Sequence, residues 1–188
     1  VVGQNSKTFT EVAFLVMWEV HYIHRAFIYP FRLRGKGKRM PIIIMLLGFL
    51  FNMINSFFIG YHLFSISDSY LNRWLMDSRF IFGLGFFLVG FVINFQSDYI
   101  LLNLRRSGDS DYHVPFGGLF RWVSCPNYLG EIIEWIGWGT ATWSLPSLVF
   151  AVWTVANLVP RSRFHHLWYQ QRFSAYPFER KVLIPGLW

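Results

Sequence analysis

Polar side chains recur at helical spacing along two otherwise apolar stretches of the chain. The first stripe has Asn94, Asp98 and Arg105 at i, i+4 and i+11, with the apolar Leu101 at i+7 on the same face. The second, at i, i+4 and i+7, is Asn127, Glu131 and Glu134. Each stripe occupies one face of a helix. Ionisable groups inside apolar helices are costly and usually face a partner or a cavity, so the two stripes predict helices that meet at a polar site.

The residue types at this site suit a nucleotide that carries several phosphates. Asp98 and Glu131 can accept hydrogen bonds from ribose hydroxyls or amides, and Tyr and Trp rings offer flat surfaces for a ring system. Arginine provides forked donors that match phosphate, and the candidates are Arg34, Arg105 and Arg161. The sequence contains neither a GxGxxG dinucleotide turn nor a Walker loop, which excludes Rossmann and P-loop binding.

No metal site is expected. The single cysteine, Cys125, excludes a multi-cysteine site, and there is no HExxH motif. His165 and His166 are adjacent, so a helix would point them in different directions and make them poor joint ligands.

The composition indicates that membrane helices position these residues. Of the 188 residues, 54% are hydrophobic and 14% are charged, against roughly 25% charged in soluble domains. Apolar spans are predicted at residues 9–31, 40–65, 79–104, 127–143 and 147–159, and an interfacial helix is predicted after Pro160. We therefore expect an all-α, polytopic integral membrane helix bundle that forms one domain over residues 1–188.

The distribution of positive charge predicts the orientation of the bundle. Residues 32–39, residues 105–126 and the tail from Arg161 contain five, three and five Lys or Arg residues, whereas residues 66–78 contain one. With five alternating spans, all three basic segments fall on one side, which should be cytoplasmic. This pattern explains the net charge of +7 better than nucleic-acid binding does. The polar site should open on the same side.

Seven segments of the chain resemble the steroid 5α-reductases (3-oxo-5α-steroid 4-dehydrogenases), in the right order and over nearly the whole sequence. They are HYIHR at 21–25, NFQSDYIL at 94–101, LRRSG at 104–108, GGLF at 117–120, NYLGEIIEW at 127–135, ATWSLP at 141–146 and HHLWY at 165–169. The resemblance implies a seven-helix membrane enzyme that uses NADPH to reduce the C4–C5 double bond of 3-oxo-Δ4 steroids, with hydride added at C5.

The resemblance also implies roles for individual residues. Tyr22 matches the family tyrosine beside the steroid 3-oxo group, where it would polarise the oxygen. Trp135 matches an aromatic wall of the steroid pocket, with Phe51, Phe150 and Trp153 as further candidates for that wall. The expected cofactor contacts are Asn94, Asp98, Leu101, Arg105, Tyr112, Asn127, Glu131, His165 and Tyr169, and Arg34 joins them as a candidate phosphate contact.

The chain departs from the family pattern in two places. The family pairs its catalytic tyrosine with a glutamate on an earlier helix, but only 21 residues precede Tyr22, and neither Glu11 nor Glu19 stands in a matching context. We therefore expect that N-terminal helices are missing. His113 stands where mammalian relatives usually have arginine. Glu134 is open to two interpretations: it faces the ligands, or it pairs with an arginine such as Arg25.

Other functions are compatible with parts of the pattern. A membrane reductase of another sterol or enoyl-lipid double bond would share the cofactor. An isoprenylcysteine-type methyltransferase would use S-adenosylmethionine and need fewer arginines. A transporter could use the intramembrane carboxylates to carry ions, but we find no paired repeats or broken midplane helices. The membrane would be the endoplasmic reticulum in a eukaryote or the plasma membrane in a bacterium, with the cofactor site facing the cytoplasm.

Overall fold

The computed structural model describes residues 8–32, 41–66, 70–104 and 112–188, and most of these residues are helical. The α-helices are α1 (Phe9–Tyr22), α2 (Tyr29–Arg32), α3 (Ile42–Tyr61), α4 (Ser78–Leu104), α5 (Pro126–Thr142) and α6 (Leu145–Arg172). A π-helical segment, Ile23–Ile28, joins α1 to α2, and a second, His62–Ile66, extends α3. Short 3₁₀ turns cover Asn72–Met76 and Gly118–Arg121. The all-α helix bundle expected from the sequence is confirmed.

Helices α4 and α5 form the centre of the bundle because glycines let their backbones touch. Gly83 and Gly90 on α4 face Gly137 and Gly130 on α5. A Cβ atom on Gly130 would lie 2.5 Å from the backbone nitrogen of Asn94, and one on Gly90 would overlap the backbone of α5. Small residues at such crossings are typical of membrane helix pairs. The close approach brings the two polar stripes of the sequence face to face.

Aromatic rings pack around this helix pair and attach α1 to it. Trp18 of α1 lies 5.0 Å from Trp135 and 4.9 Å from Trp138, measured between ring centroids. The buried indole of Trp138 donates a hydrogen bond to the backbone carbonyl of Phe14 at 3.2 Å. This bond satisfies a polar atom that would otherwise be stranded in the apolar core, and it fixes the position of α1 along α5.

The segment before α4 is hydrogen-bonded to the C-terminal end of α5. Tyr70 Oη donates to the carbonyl of Thr142 at 2.8 Å, and Trp74 Nε1 donates to that of Ala141 at 2.9 Å. Both carbonyls belong to the last turn of α5, where no intrahelical donor remains. Asp77 accepts hydrogen bonds from the backbone and side chain of Arg79, and these bonds lower the pKa of the Asp77 carboxyl to about 2.

Helix α6 continues through Pro160, although the sequence predicted a break there. Proline removes one backbone donor and usually kinks a helix. Here residues on both sides of it are buried: Leu158 packs in an apolar cluster with Cys125, and the thiol of Cys125 reaches the carbonyl of Ser162 at 3.8 Å. These contacts anchor α6 on both sides of Pro160. The fifth span and the expected interfacial helix are therefore one 28-residue helix.

Two helical segments in the described part of the chain are long and apolar enough to cross a membrane. They are Ile42–Ile66, with 25 residues, and Ser78–Leu104, with 27 residues. Most large apolar side chains of α3 are exposed, including Ile42, Leu47, Phe49 and Phe58. Such a surface is unfavourable in water and suits contact with lipid or with further helices.

The C-terminal segment closes over the end of α6 through a buried polar network. Gln170 lies 2.9 Å from His166 Nε2, and His166 Nδ1 lies 2.6 Å from Ser124 Oγ. Ser124 Oγ also contacts Tyr176 Oη at 2.6 Å and the carbonyl of Lys181 at 3.2 Å. Every donor finds an acceptor if His166 is neutral, with Gln170 donating to Nε2 and Nδ1–H donating to Ser124. This bonding pattern favours an uncharged imidazole.

This network predicts a loss of stability in mild acid. Burial lowers the pKa of His166 from its ordinary value of 6.5, so below that value the unfolded chain binds a proton more readily than the folded one. The free energy of unfolding should then fall as the pH drops below about 6.5 and be unaffected by this group above it. In His166→Asn that contribution is absent, so its melting temperature should approach that of the wild type as the pH falls from about 8 to about 5. His165 is present in both proteins, so its contribution to the pH dependence cancels in the difference between them. A constant difference across this range would contradict the prediction.

Candidate active site

Two cavities lie on either side of the junction between α1, α4 and α5. The Tyr22 cavity, of about 280 Å³, is bordered by α1, α3, α5 and α6. The Tyr169 cavity, of about 450 Å³, lies between the ends of α4 and α6. The structure divides the predicted site residues between these two spaces and the polar junction that separates them.

The Tyr22 cavity gathers the predicted tyrosine and all four predicted wall residues, namely Phe51, Trp135, Phe150 and Trp153. Phe51 stacks on Trp153 with a centroid distance of 5.1 Å, and Trp135 meets Phe150 edge to face at 4.7 Å. These rings form two aromatic surfaces of a slot whose lining also includes polar side chains such as Glu131 and Arg161. Such a slot suits a flat, rigid hydrocarbon skeleton.

Tyr22 presents its hydroxyl within this slot. The hydroxyl donates a 3.0 Å hydrogen bond to Asn52 Oδ1, and Asn52 Nδ2 donates in turn to the carbonyl of Gly48 at 2.9 Å. Asn52 was not identified from the sequence as a site residue. The signal available was an amide inside the apolar run of α3, where an unpaired polar group is unfavourable.

Arg25 forms the junction between the two cavities. Its guanidinium donates to Asp98 Oδ2 at 3.1 Å and approaches Glu131 Oε2 at 3.9 Å. It also lies 5.0 Å from the ring centre of Tyr29, a residue that lines the Tyr169 cavity. Arg25 follows Tyr22 through the π-helical segment, a distortion that often marks functional positions. One cation therefore gathers carboxylates from α4 and α5 beside the tyrosine.

Asn94 joins the two central helices, and neither Asn94 nor Asn127 is among the residues that line the two cavities. Asn94 Nδ2 donates to the backbone carbonyl of Asn127 at 2.9 Å, and Asn94 is only 3% exposed. Asp98, one turn further along α4, is 1% exposed, and its Oδ1 has no hydrogen-bond partner among the described residues. A buried acceptor without a donor is unfavourable, so Asp98 has capacity for a ligand hydroxyl or amide.

The Tyr169 cavity collects four more of the predicted contacts, which are Leu101, Tyr112, His165 and Tyr169. The rings of Tyr112 and Trp168 meet at 5.0 Å, and Tyr169 stacks on Tyr176 at 5.4 Å. His165 lies 3.3 Å from the Tyr128 hydroxyl, and burial together with the charge of Arg161 lowers its pKa. His113, at the position of the family arginine, also lines this cavity.

Glu134 pairs with a histidine, not with Arg25. Its Oε1 lies 2.9 Å from His21 Nδ1, and both residues are buried. The interpretation that Glu134 is a partner for Arg25 is therefore wrong, because Arg25 lies with Asp98 and Glu131. Of the candidate phosphate contacts, Arg161 lines the Tyr22 cavity. Arg34 and Arg105 lie outside the described residues.

Comparison with known proteins places this geometry in a family. The chain is 45% identical to 3-oxo-5-alpha-steroid 4-dehydrogenase 1 of Macaca fascicularis over 173 residues, which are 92% of the chain and 65% of that protein. It is 44% identical to the Homo sapiens type 1 protein, again over 92% of the chain and 66% of the relative. It is 45% identical to the Homo sapiens type 2 protein, over 88% of the chain and 64% of that relative.

The chain thus spans about 65% of the length of the relative from Macaca fascicularis. A profile of the family described as 3-oxo-5-alpha-steroid 4-dehydrogenase matches residues 38–188, which include every predicted site residue except Tyr22 and Arg34. The chain belongs to the 3-oxo-5-alpha-steroid 4-dehydrogenase family.

Proposed function

We propose that the protein reduces the C4–C5 double bond of a 3-oxo-Δ4 steroid, or of a similar lipid enone, with NADPH. The observation that carries this proposal is the position of the Tyr22 hydroxyl. It lies in an aromatic slot that also includes Trp135, and Arg25 links that slot to the Tyr169 cavity. The relatives are named for this activity.

Tyr22 acts on the substrate oxygen. As the enone is reduced at C5, negative charge develops on the 3-oxo oxygen, and a hydroxyl that donates to this atom binds the enolate more tightly than the ketone. The O–H now directed at Asn52 has to rotate towards the substrate for this.

The residues at the junction and in the Tyr169 cavity fit NADPH. The unpartnered Oδ1 of Asp98 can accept from a hydroxyl or amide of the cofactor, and Glu131 offers a second carboxylate beside it. Tyr112, His165 and Tyr169 provide ring surfaces and polar atoms for the nucleotide end. Arg34 and Arg105 are the proposed phosphate contacts. When bound, NADPH supplies the hydride.

The membrane setting follows the same reasoning. The two long apolar helices and the exposed apolar face of α3 support a multi-pass arrangement in a bilayer. A steroid can enter the slot from the lipid phase because Trp153 of the slot wall is half exposed. The distribution of the basic segments supports a cofactor side that faces the cytoplasm.

Removal of one slot wall should weaken steroid binding more than it slows the reaction. Trp153→Ala deletes the ring that stacks on Phe51 and leaves Tyr22 and the polar junction intact. We expect KM for the steroid to rise about tenfold, since an aromatic face that the bound steroid covers contributes on the order of 1 kcal/mol or more. Initial-rate kinetics at saturating NADPH measure this effect. Phe57→Ala, also on an exposed apolar surface, is the matched control and should leave KM unchanged.

A ligand comparison separates the proposal from the methyltransferase alternative. Purified full-length protein is titrated with NADPH and with S-adenosylmethionine, and each ligand is then offered with a 3-oxo-Δ4 steroid. We expect NADPH to bind and the enone to disappear. Binding of S-adenosylmethionine alone, or methyl transfer, would reject the proposal.

A further inference from the structure

A buried acid–histidine pair lies directly behind Tyr22. His21 Nδ1 and Glu134 Oε1 are 2.9 Å apart, and the two residues are 5% and 0% exposed. The second carboxylate oxygen, Oε2, is buried and has no hydrogen-bond partner among the described residues. The pair connects α1 to α5, and the role proposed above for Tyr22 does not use it.

The surroundings of the pair favour a state that carries one mobile proton. A carboxylate beside a neutral imidazole would leave a net negative charge in an apolar helix interface, which is strongly unfavourable. One added proton makes the pair neutral overall, whether that proton is on His21 or on Glu134, and the 2.9 Å contact lets it pass between them. The pair can therefore donate one proton, and its net charge changes from zero to −1 when it does so.

The pair also reaches the substrate space. His21 lines the Tyr22 cavity, and its ring centre lies 4.7 Å from that of Trp135 and 5.3 Å from that of Tyr22. Because Glu134 contacts Nδ1 of His21, Nε2 is the ring nitrogen that can exchange a proton with a molecule in the cavity. Glu131, the other carboxylate of this cavity, lies beside Arg25, and the proposed role of Tyr22 is to donate to the substrate oxygen.

We propose that the Glu134–His21 pair donates the proton that completes the reduction at C4. This inference rests on the proposed function, in which an enolate forms once C5 has been reduced. The Nε2–H bond of His21 breaks as a C–H bond forms at C4, the enolate returns to a 3-oxo group, and the pair is left with one negative charge. A proton from water restores the pair before the next turnover.

The proton step can be tested without turnover of the cofactor. The full-length protein is incubated in D₂O with a saturated 3-oxo-5α-steroid, and deuterium at C4 and C2 is followed by NMR and mass spectrometry. In the reverse direction His21 removes a proton from C4, and Tyr22 stabilises the enolate. We expect the wild type to introduce one deuterium at C4 in preference to C2.

Variants separate a chemical role from a structural one. His21→Gln and Glu134→Gln should slow exchange at C4 by at least about tenfold, and added imidazole should restore exchange in His21→Ala. His24→Gln is the matched control, because this neighbouring buried histidine packs against Phe95 at 5.0 Å. It should exchange as the wild type does. Steroid binding and melting temperature report whether each variant is folded.

The outcomes distinguish this inference from the proposed function. Enone reduction by the wild type, measured in parallel, tests the function alone. If the wild type reduces the enone but shows no preferential exchange at C4, the pair is not the donor. The inference would also be overturned if folded His21→Gln exchanged at C4 as fast as the wild type. The same holds if imidazole did not restore exchange in His21→Ala.

Discussion

Replacing Tyr22 by phenylalanine should lower the turnover number by about 10²-fold or more while NADPH still binds with its normal affinity. The substitution removes a single oxygen atom from the Tyr22 cavity and keeps the ring, which lies 4.9 Å from Trp18 and 6.0 Å from Trp135. The aromatic wall is thus retained, and the loss falls on stabilisation of the enolate. Steady-state kinetics and cofactor titration of the same preparation measure both quantities.

Tyr61→Phe provides the matched control. Tyr61 lies at the end of α3, is 42% exposed and stacks on Phe57, away from both cavities. It should turn over as the wild type does. If Tyr22→Phe retained more than about a third of the wild-type turnover number, the Tyr22 hydroxyl would not supply the expected rate enhancement of about 10²-fold.

Gly90→Ala should destabilise the protein by at least about 2 kcal/mol and lower its yield from membranes. The added methyl group would overlap the backbone of Glu134 and Gly130 on α5, and backbone cannot move aside as a flexible side chain can. The two central helices would have to separate. Because they hold Asp98 and Glu131 on opposite sides of Arg25, the polar junction should open as well. Melting temperature in detergent and NADPH affinity report the two effects.

Gly85→Ala tests whether the effect depends on the contact. Gly85 is in the same helix, but no atom lies within 4 Å of the position that its Cβ would take. Alanine is the better helix former by up to about 1 kcal/mol, so this variant should be as stable as the wild type or slightly more stable. Equal destabilisation by both substitutions would contradict the close-packed α4–α5 contact.

The sequence predicted the helices and the polar stripes because their signals are local. Spacing along one helix is enough to place Asp98 on one stripe and Glu131 on the other, and long apolar runs are enough to identify α3 and α4. The family resemblance supplied Tyr22 and the wall residues, and the structure places all of them around one cavity.

Features that depend on contacts between distant segments were not predictable in the same way. The bond from Tyr22 to Asn52 joins residues 30 positions apart, and the pair of His21 with Glu134 joins residues 113 apart. Glu134 has two plausible partners, His21 at the end of α1 and Arg25 in the π-helical segment that follows, and only the rotation of these segments against α5 decides between them. Pro160 gave a strong local signal for a helix end, but burial on both sides of it overrode that signal.

A labelling experiment tests the central proposal most directly. The full-length protein is given a 3-oxo-Δ4 steroid and NADPH deuterated on the transferable position of the nicotinamide, in ordinary water. We predict a saturated 5α product that carries deuterium at C5 and ordinary hydrogen at C4. Recovery of unreduced steroid under conditions where NADPH binds, or a reduced product without label at C5, would contradict the account.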